Sequence, residues 1–149
     1  MPSPSEGIAG FLRARYAEQR AFAHAATRGP WRAEAFVYGR AEDGWGEPQN
    51  WEIKAGGIDV VGHQPHEGGG VDGEGNALHI AAHGPDIVLA DLAAKLAIVA
   101  RHERLPDGLF CVTCDAPSGI PGKPHGCATL RLLALPFAAH PDYDERWRP

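Results

Sequence analysis

The sequence predicts an α+β fold in which helices accompany a small antiparallel sheet. Three observations indicate this class: an apolar stripe at helical spacing near the N-terminus, β-branched and aromatic runs between glycine-rich turns in the next segment, and a second helical stripe beyond residue 76. A chain of 149 residues has the usual length of one domain. We therefore expect residues 1–149 to form a single domain.

The first element is predicted as a helix over residues 4–28. Ser3 and Glu6 have the spacing of a capping box, in which both side chains accept hydrogen bonds from backbone N–H groups at the helix start. The apolar stripe of this helix recurs every fourth residue and consists of Ile8, Leu12 and Tyr16. Gly29 and Pro30 end the helix, because glycine is favoured just past a helix and proline cannot continue it.

Residues 31–62 are predicted to form an antiparallel meander. The candidate strands are residues 31–38, 50–54 and 58–62. Gly56 and Gly57 supply the tight turn between the last two strands. The segment 63–75 is so rich in glycine that we expect a mobile loop, with at most a short strand at Val71.

Residues 76–104 are predicted to form a central pair of helices. Asn76 suits the N-cap of a short helix over 77–83, and Gly84 and Pro85 end that helix and begin a longer one. The longer helix carries an apolar stripe of Val88, Leu92, Leu96 and Val99. Residues 128–149 are predicted as a short helix and a tail, in which Trp147 folds back to bury its apolar area.

Charge and cysteine content restrict the function and the compartment. The net charge of −5 and the pI near 5.9 disfavour nonspecific binding to nucleic acid. No apolar run approaches the ~18 residues that span a bilayer. All three cysteines fall within residues 111–127, and an odd number there favours metal ligation in a reducing compartment over a disulfide framework. We therefore expect a cytoplasmic protein without a membrane segment.

The segment 109–127 carries the most specific chemical pattern in the chain. A Cys-x-x-Cys turn is followed by a His-x-Cys return, and the predicted ligands are Cys111, Cys114, His125 and Cys127. Three thiolates and one imidazole suit the tetrahedral coordination of a structural zinc ion, and four protein ligands leave no position for a reacting water. We therefore expect the α+β fold to include a zinc-stabilised C-terminal loop. Because His-x-Cys is tighter than the usual spacing, His102, His140 and Asp115 stay open as alternatives for the fourth ligand.

Two competing interpretations apply to the cysteines. They could be ordinary reduced thiols, or the Cys-x-x-Cys pair could be a redox motif. The redox interpretation is disfavoured because redox pairs of the thioredoxin type begin a helix after a strand, whereas this pair precedes a loop rich in proline and glycine.

Two histidine pairs are weaker candidates. His79 and His83 are four residues apart on a predicted helix, but Ile80 occupies the position where a zincin has its Glu general base. We favour a helix-ending role for His83 and a position on the polar face for His79. His63 and His66 lie in the glycine-rich loop, where we favour solvation over a second metal site.

No complete catalytic constellation occurs in the sequence. A G-x-S-x-G nucleophile motif is absent, and serine occurs only at positions 3, 5 and 118. We therefore favour a binding protein with a protein partner, reached through the sheet and the glycine-rich loop, over an enzyme. One alternative is a small-ligand or nucleotide-binding protein that stacks its ligand on Trp31, Trp45 or Trp51. The other is a metal-dependent enzyme that uses His79, His83 and a third ligand.

The end of the chain carries a recognisable signature. Residues 127–136 have the sequence CATLRLLALP, followed by His-Pro-Asp-Tyr at 140–143 and Trp-Arg-Pro at 147–149. This arrangement resembles the closing signature of a domain-of-unknown-function family of small proteins from actinobacteria and their phages. The segments 11–15 and 76–81 are similar to that family as well, so the resemblance covers most of the chain.

The resemblance implies the predicted fold and an association with phage or prophage genes, without an established activity. The sequence departs from the family at Ala128, where proline is frequent, and at Arg28 it departs from a wider set of similar small phage early-region proteins, which often have proline there. Neither departure touches a predicted ligand. The resemblance also makes Trp31 and Arg131 candidates for roles beyond packing, with a core position and a helix-surface position as the simpler explanations.

Overall fold

The computed structural model describes residues 7–36, 50–64, 68–105, 108–117, 120 and 125–149, except for the side chains of residues 63 and 64. The elements follow in the order α1 (Gly7–Ala25), β1 (Trp31–Phe36), β2 (Asn50–Ala55), β3 (Ile58–Val61), β4 (His63–Gln64), β5 (Gly68–Gly69), α2 (Glu74–Ala82), α3 (Pro85–Arg101) and α4 (Ala128–Ala134). Two short 3₁₀ turns, Leu135–Phe137 and Glu145–Trp147, follow α4. The predicted α+β class is confirmed.

The chain folds as two compact units. The first comprises residues 1–20 and 91–149, and the second comprises residues 21–90. The single domain over residues 1–149 stays a prediction. In the part of the chain described, no helix is both long enough and apolar enough to cross a membrane.

The core of the first unit is built on the predicted helical stripes. On α1, Ile8, Leu12 and Tyr16 are all buried, and on α3 Leu92 and Val99 are buried. Burial, with a smaller contribution from the nearby carboxylate of Asp91, raises the pKa of the Tyr16 phenol to about 12. The periodicity in the sequence therefore identifies the faces of α1 and α3 that face the core.

Phe11 lies at the centre of an aromatic cluster in the first unit. Its ring centroid is 5.0 Å from that of Trp147, and it makes edge contacts with Phe137 at 6.1 Å and Tyr143 at 6.1 Å. These separations are typical of favourable aromatic pairs. The prediction that Trp147 folds back onto the body is confirmed.

The second unit contains a three-stranded antiparallel sheet in the order β1-β2-β3. Trp31 lies opposite Ala55 and Phe36 opposite Asn50, which gives the meander the predicted topology. Gly56 has a φ of 61°, as the tight turn between β2 and β3 requires. Helix α2 packs on β1 and β2. The predicted end of the first strand at residues 37–38 and the loop to residue 49 lie outside the described residues.

The glycine-rich segment is more regular than the sequence predicts. Its residues form the short antiparallel pair β4-β5, and Val71 and Trp51 exchange two backbone hydrogen bonds of 2.7 and 3.0 Å. A Cβ atom on Gly70 would lie 2.7 Å from the carbonyl oxygen of Trp51, so only glycine permits this close approach. The short strand that the sequence allows at Val71 is therefore present as a bridge to Trp51, whereas the β4-β5 pair was not predicted.

The start of α2 also differs from the prediction. The helix begins at Glu74 with Gly73 as its N-cap, and Asn76 lies inside it with its side-chain amide donating to the Asp72 carbonyl oxygen at 2.8 Å. A carboxylate in the first turn is favoured by the helix dipole, which explains the earlier start. Pro85 begins α3 as predicted, whereas the predicted capping box of α1 lies in residues outside those described.

Trp31 and Arg131 both have contacts that account for their positions. The indole N–H of Trp31 donates to the Thr27 carbonyl oxygen at 2.8 Å. The guanidinium of Arg131 donates to the Arg148 carbonyl oxygen at 3.0 Å and so holds the tail against α4. Both side chains therefore contribute to local structure.

We expect Phe11→Ala to lower the free energy of unfolding by about 3–5 kcal/mol, because it removes a 2% exposed ring from the centre of the aromatic cluster. Phe22 on the same helix is 76% exposed, so Phe22→Ala should change stability by less than about 0.5 kcal/mol. Urea unfolding followed by circular dichroism measures both. Equal effects of the two substitutions would contradict the assigned core.

Candidate metal centre

Four side chains of the first unit converge on one small volume. They are His102, Cys111, Cys114 and Cys127, and one ligand atom from each lies within 4.8 Å of all the others. The Nδ1 atom of His102 is 3.2 Å from Cys114 Sγ and 3.7 Å from the Sγ atoms of Cys111 and Cys127. The cysteines form no disulfide. No second group of three or more such side chains at metal-binding spacing occurs among the described residues.

The end of α3 positions His102. The helix ends at Arg101, and the backbone N–H of His102 still donates to the carbonyl oxygens of Ile98 and Val99 at 3.1 Å. Its imidazole is therefore attached to the last turn of a helix that is held in the core by Val99.

A tight turn positions Cys111 and Cys114. The N–H of Asp115 donates to the Cys111 carbonyl oxygen at 3.1 Å, and the N–H of Cys111 donates to the Ala116 carbonyl oxygen at 3.0 Å. On the side facing the end of α3, the N–H of Val112 donates to the Glu103 carbonyl oxygen at 2.9 Å. These bonds direct both thiols toward His102.

Cys127 reaches the cluster from the N-terminal end of α4, where it is the N-cap residue. Gly126 before it has a φ of 86°, and a Cβ atom on Gly126 would lie 2.7 Å from Cγ2 of Ile8. Both observations require glycine, because other residues rarely adopt this φ and no space exists for a side chain. Gly126 therefore sets the direction from which Cys127 enters.

Burial makes a cluster of uncoordinated thiolates unfavourable. Cys111 and Cys127 are each 1% exposed, whereas Cys114 is exposed. Burial is the main reason that the pKa of Cys127 is raised to about 11, and the neighbouring sulfur atoms of Cys111 and Cys114 contribute to this rise. Burial also opposes ionisation of Cys111, but hydrogen bonds from the backbone N–H groups of Cys114 and Thr113 and from the thiols of Cys127 and Cys114 together outweigh it and lower the pKa of Cys111. A cation bound among the sulfur atoms would favour the thiolate form of all three cysteines.

The spacing of the ligand atoms fits tetrahedral coordination. Zinc lies about 2.3 Å from sulfur and about 2.0–2.1 Å from nitrogen, so ligand atoms around it are about 3.5–3.8 Å apart. The separations of 3.2–3.7 Å between His102 Nδ1 and the three sulfur atoms match that size. One ion can therefore contact all four side chains after small adjustments.

The described geometry groups His102, and not His125, with the three predicted cysteines. The Nε2 atom of His125 lies 3.5 Å from Nη1 of Arg146. In an extended segment, side chains two residues apart share one face, but the positive φ at Gly126 breaks that alternation between His125 and Cys127. This turn separates the imidazole from the thiol that follows it by two residues.

The other two alternatives for the fourth ligand also lie outside the group. His140 accepts a hydrogen bond at its Nδ1 from Nη1 of Arg15 at 3.0 Å. Asp115 adopts a left-handed φ of 49° just after the Cys-x-x-Cys turn and is exposed. Of the alternatives that the sequence spacing leaves open, His102 is the one brought to the thiols.

The sequence contains one signal for His102, namely its place between the apolar stripe of α3 and the turn before Cys111. That signal is weak because the same pattern allows the helix to continue to Arg104. Within a continuing helix, His102 would be one more helical side chain. Because α3 ends at Arg101, His102 is the first residue after the helix, and the structure is needed to show this.

The structure describes the side chains of His79 and His83 but not those of the other histidine pair, His63 and His66. His83 is the C-cap residue of α2, and its Nδ1 atom lies 2.7 Å from the His79 carbonyl oxygen, which confirms its helix-ending role. Within the described ranges, no third ligand joins His79 and His83. The side chain of His63 and the whole of His66 lie outside the described residues.

Comparison with known families identifies the chain. The sequence profile of DUF6221, a family of unknown function, matches residues 5–149. The chain belongs to the DUF6221 family. This match confirms the resemblance to a domain-of-unknown-function family, and it spans all four residues of the cluster. No curated protein and no solved structure matches the chain. For this DUF6221 protein, the chemistry must therefore be inferred from the cluster itself.

We expect Gly126→Ala to lower the free energy of unfolding by about 1–3 kcal/mol, because the new Cβ atom meets Ile8 in a backbone conformation unfavourable for alanine. Gly75 in α2 has open space around it, so Gly75→Ala should be neutral or stabilising by up to about 1 kcal/mol. Thermal unfolding monitored by calorimetry compares the two variants. A neutral Gly126→Ala would refute the assigned contact with Ile8.

Proposed function

We propose that this DUF6221 chain is a zinc-binding protein in which His102, Cys111, Cys114 and Cys127 hold one structural zinc ion. The observation that carries the proposal is the convergence of the four ligand atoms within 4.8 Å of one another. Zinc is the best chemical match, because three thiolates with one imidazole form a common structural zinc site, whereas iron–sulfur clusters usually have four cysteine ligands.

The role of the ion is structural in this proposal. Three thiolates and one imidazole complete a tetrahedron, so no position is open for a water or a substrate. The ion would join the end of α3, the Cys-x-x-Cys turn and the start of α4. Among the described residues of 108–117, Cys111 is the only buried one, so this segment has little core of its own. Metal binding would therefore provide much of its stability.

For the protein as a whole, we propose a non-catalytic interaction module with a protein partner. The closed coordination supports a role without catalysis. Apolar side chains on the unit that carries the cluster support an interaction: Val112 in the turn is 56% exposed and Leu132 on α4 is 60% exposed. An association with phage or prophage genes is part of this proposal and rests on the resemblance of the closing signature.

Two histidine substitutions distinguish the ligand set that contains His102 from the alternative set that contains His125. We expect His102→Ala to weaken zinc binding by more than about 10²-fold, because it removes a direct ligand and even changes around the ligands cost 10–100-fold. His125→Ala should retain one zinc ion per chain with unchanged affinity. Competition with a chromophoric chelator, combined with elemental analysis of the purified protein, gives both values.

The reverse pattern, with zinc lost in His125→Ala and kept in His102→Ala, would refute this ligand set while leaving zinc binding intact. Absence of zinc from wild-type protein purified without chelator and then reconstituted with Zn²⁺ would refute the zinc proposal itself. Cys127→Ser serves as a positive control for the loss of a ligand that both sets share.

Zinc removal should destabilise the wild-type protein. A ligand at 100 times its dissociation constant stabilises the folded state by ~2.7 kcal/mol, so chelation should lower the melting temperature and remove amide protection from residues 108–117 and 125–134. Cys111→Ser should show little response to the chelator because its site is already lost. Hydrogen exchange with and without chelator measures the effect, and identical wild-type exchange in both conditions would argue against a structural ion.

A further inference from the structure

The two histidines on α2 form a second arrangement of nitrogen ligands, separate from the cysteine cluster. His79 and His83 are both exposed and lie four residues apart at the C-terminal end of the helix. Their ring centroids are 4.3 Å apart, with an angle of 45° between the ring planes. Two imidazoles this close on one helix face are within the span of a single ion, since each nitrogen would lie about 2 Å from it.

The tautomer of His83 is suited to metal binding. Its Nδ1 atom is 2.7 Å from the His79 carbonyl oxygen, an acceptor, so Nδ1 carries the proton and donates it to that oxygen. The Nε2 atom of the neutral ring consequently keeps its lone pair. A backbone carbonyl that accepts from the second ring nitrogen is the usual arrangement around histidine ligands of metals, because it fixes the tautomer and the ring orientation.

The end of the helix is also a favourable place for positive charge. The last carbonyl groups of a helix carry partial negative charge, which stabilises a cation nearby. His83 is the C-cap residue of α2, and the nine residues of the helix place both rings at that end. A divalent cation held by the two rings would benefit from this field.

We propose that His79 and His83 form an exchangeable binding site for a divalent transition metal of the class that prefers imidazole, such as Ni²⁺, Cu²⁺ or Zn²⁺. Among the described residues the site has two protein ligands, so the remaining positions are open to water or to a donor group from another molecule. The site differs from the cysteine cluster in being exposed and incomplete, and it does not depend on the zinc proposal.

The test uses Ni²⁺ and the full chain without an affinity tag, after saturation with Zn²⁺ and removal of the excess. Isothermal titration calorimetry measures the Ni²⁺ affinity, and paramagnetic broadening of the histidine ring signals in NMR spectra locates the ion. We expect broadening at His79 and His83. His79→Ala and His83→Ala should each weaken binding by about 10²-fold, because the second imidazole binds intramolecularly only when the first is present.

His24→Ala and His66→Ala are the matched controls, and both should bind Ni²⁺ as the wild type does. The proposal is overturned if His79→Ala and His83→Ala bind within threefold of the wild type, or if His66→Ala causes the loss. It is also overturned if the broadening falls on His102, which would place the ion in the cysteine cluster. Because both rings are exposed, loss of folding is not expected in either variant, and circular dichroism checks this.

Discussion

The meeting of three thiols and one imidazole is the constraint on which the C-terminal half of the first unit depends. Two of the sulfur atoms are removed from water, and burial there raises the pKa of Cys127 to about 11. Among the described residues of 108–117, the segment that carries Cys111 and Cys114, only Cys111 is buried, so apolar packing alone offers this segment few contacts. A cation bound by all four side chains would replace the lost hydration of the thiolates and join three chain segments at one point.

Helix α1 connects this cluster to the remaining core of the first unit. Near its start, Ile8 occupies the space beside Gly126, where any side chain would collide with it. One turn later, Phe11 contacts the aromatic rings of the tail, including Trp147. Buried side chains of α1 therefore support both the approach of Cys127 and the folded-back tail. Cys127 is consequently held against the core of the first unit.

Much of this architecture could be predicted from short-range patterns. The stripe containing Ile8, Leu12 and Tyr16 identified the buried face of α1, and Pro85 identified the start of α3. Patterns of this kind succeed because helix and strand periodicities are local properties of the backbone. The start of α2 was missed because Gly73 and Glu74 offer an alternative helix start that competes with Asn76. A short strand at Val71 was allowed, but its partner Trp51 and the β4-β5 pair were not predicted, because glycine-rich segments carry little side-chain information about register.

By itself the sequence determined the α+β class, the family, the three clustered cysteines and the faces of α1 and α3 that are buried. The tertiary structure alone decided which imidazole accompanies the thiols. That choice depends on where α3 ends and on the positive φ of Gly126, which separates His125 from Cys127. His102 and Cys127 are 25 residues apart. Their proximity results from packing between distant segments, which no local pattern in the chain encodes.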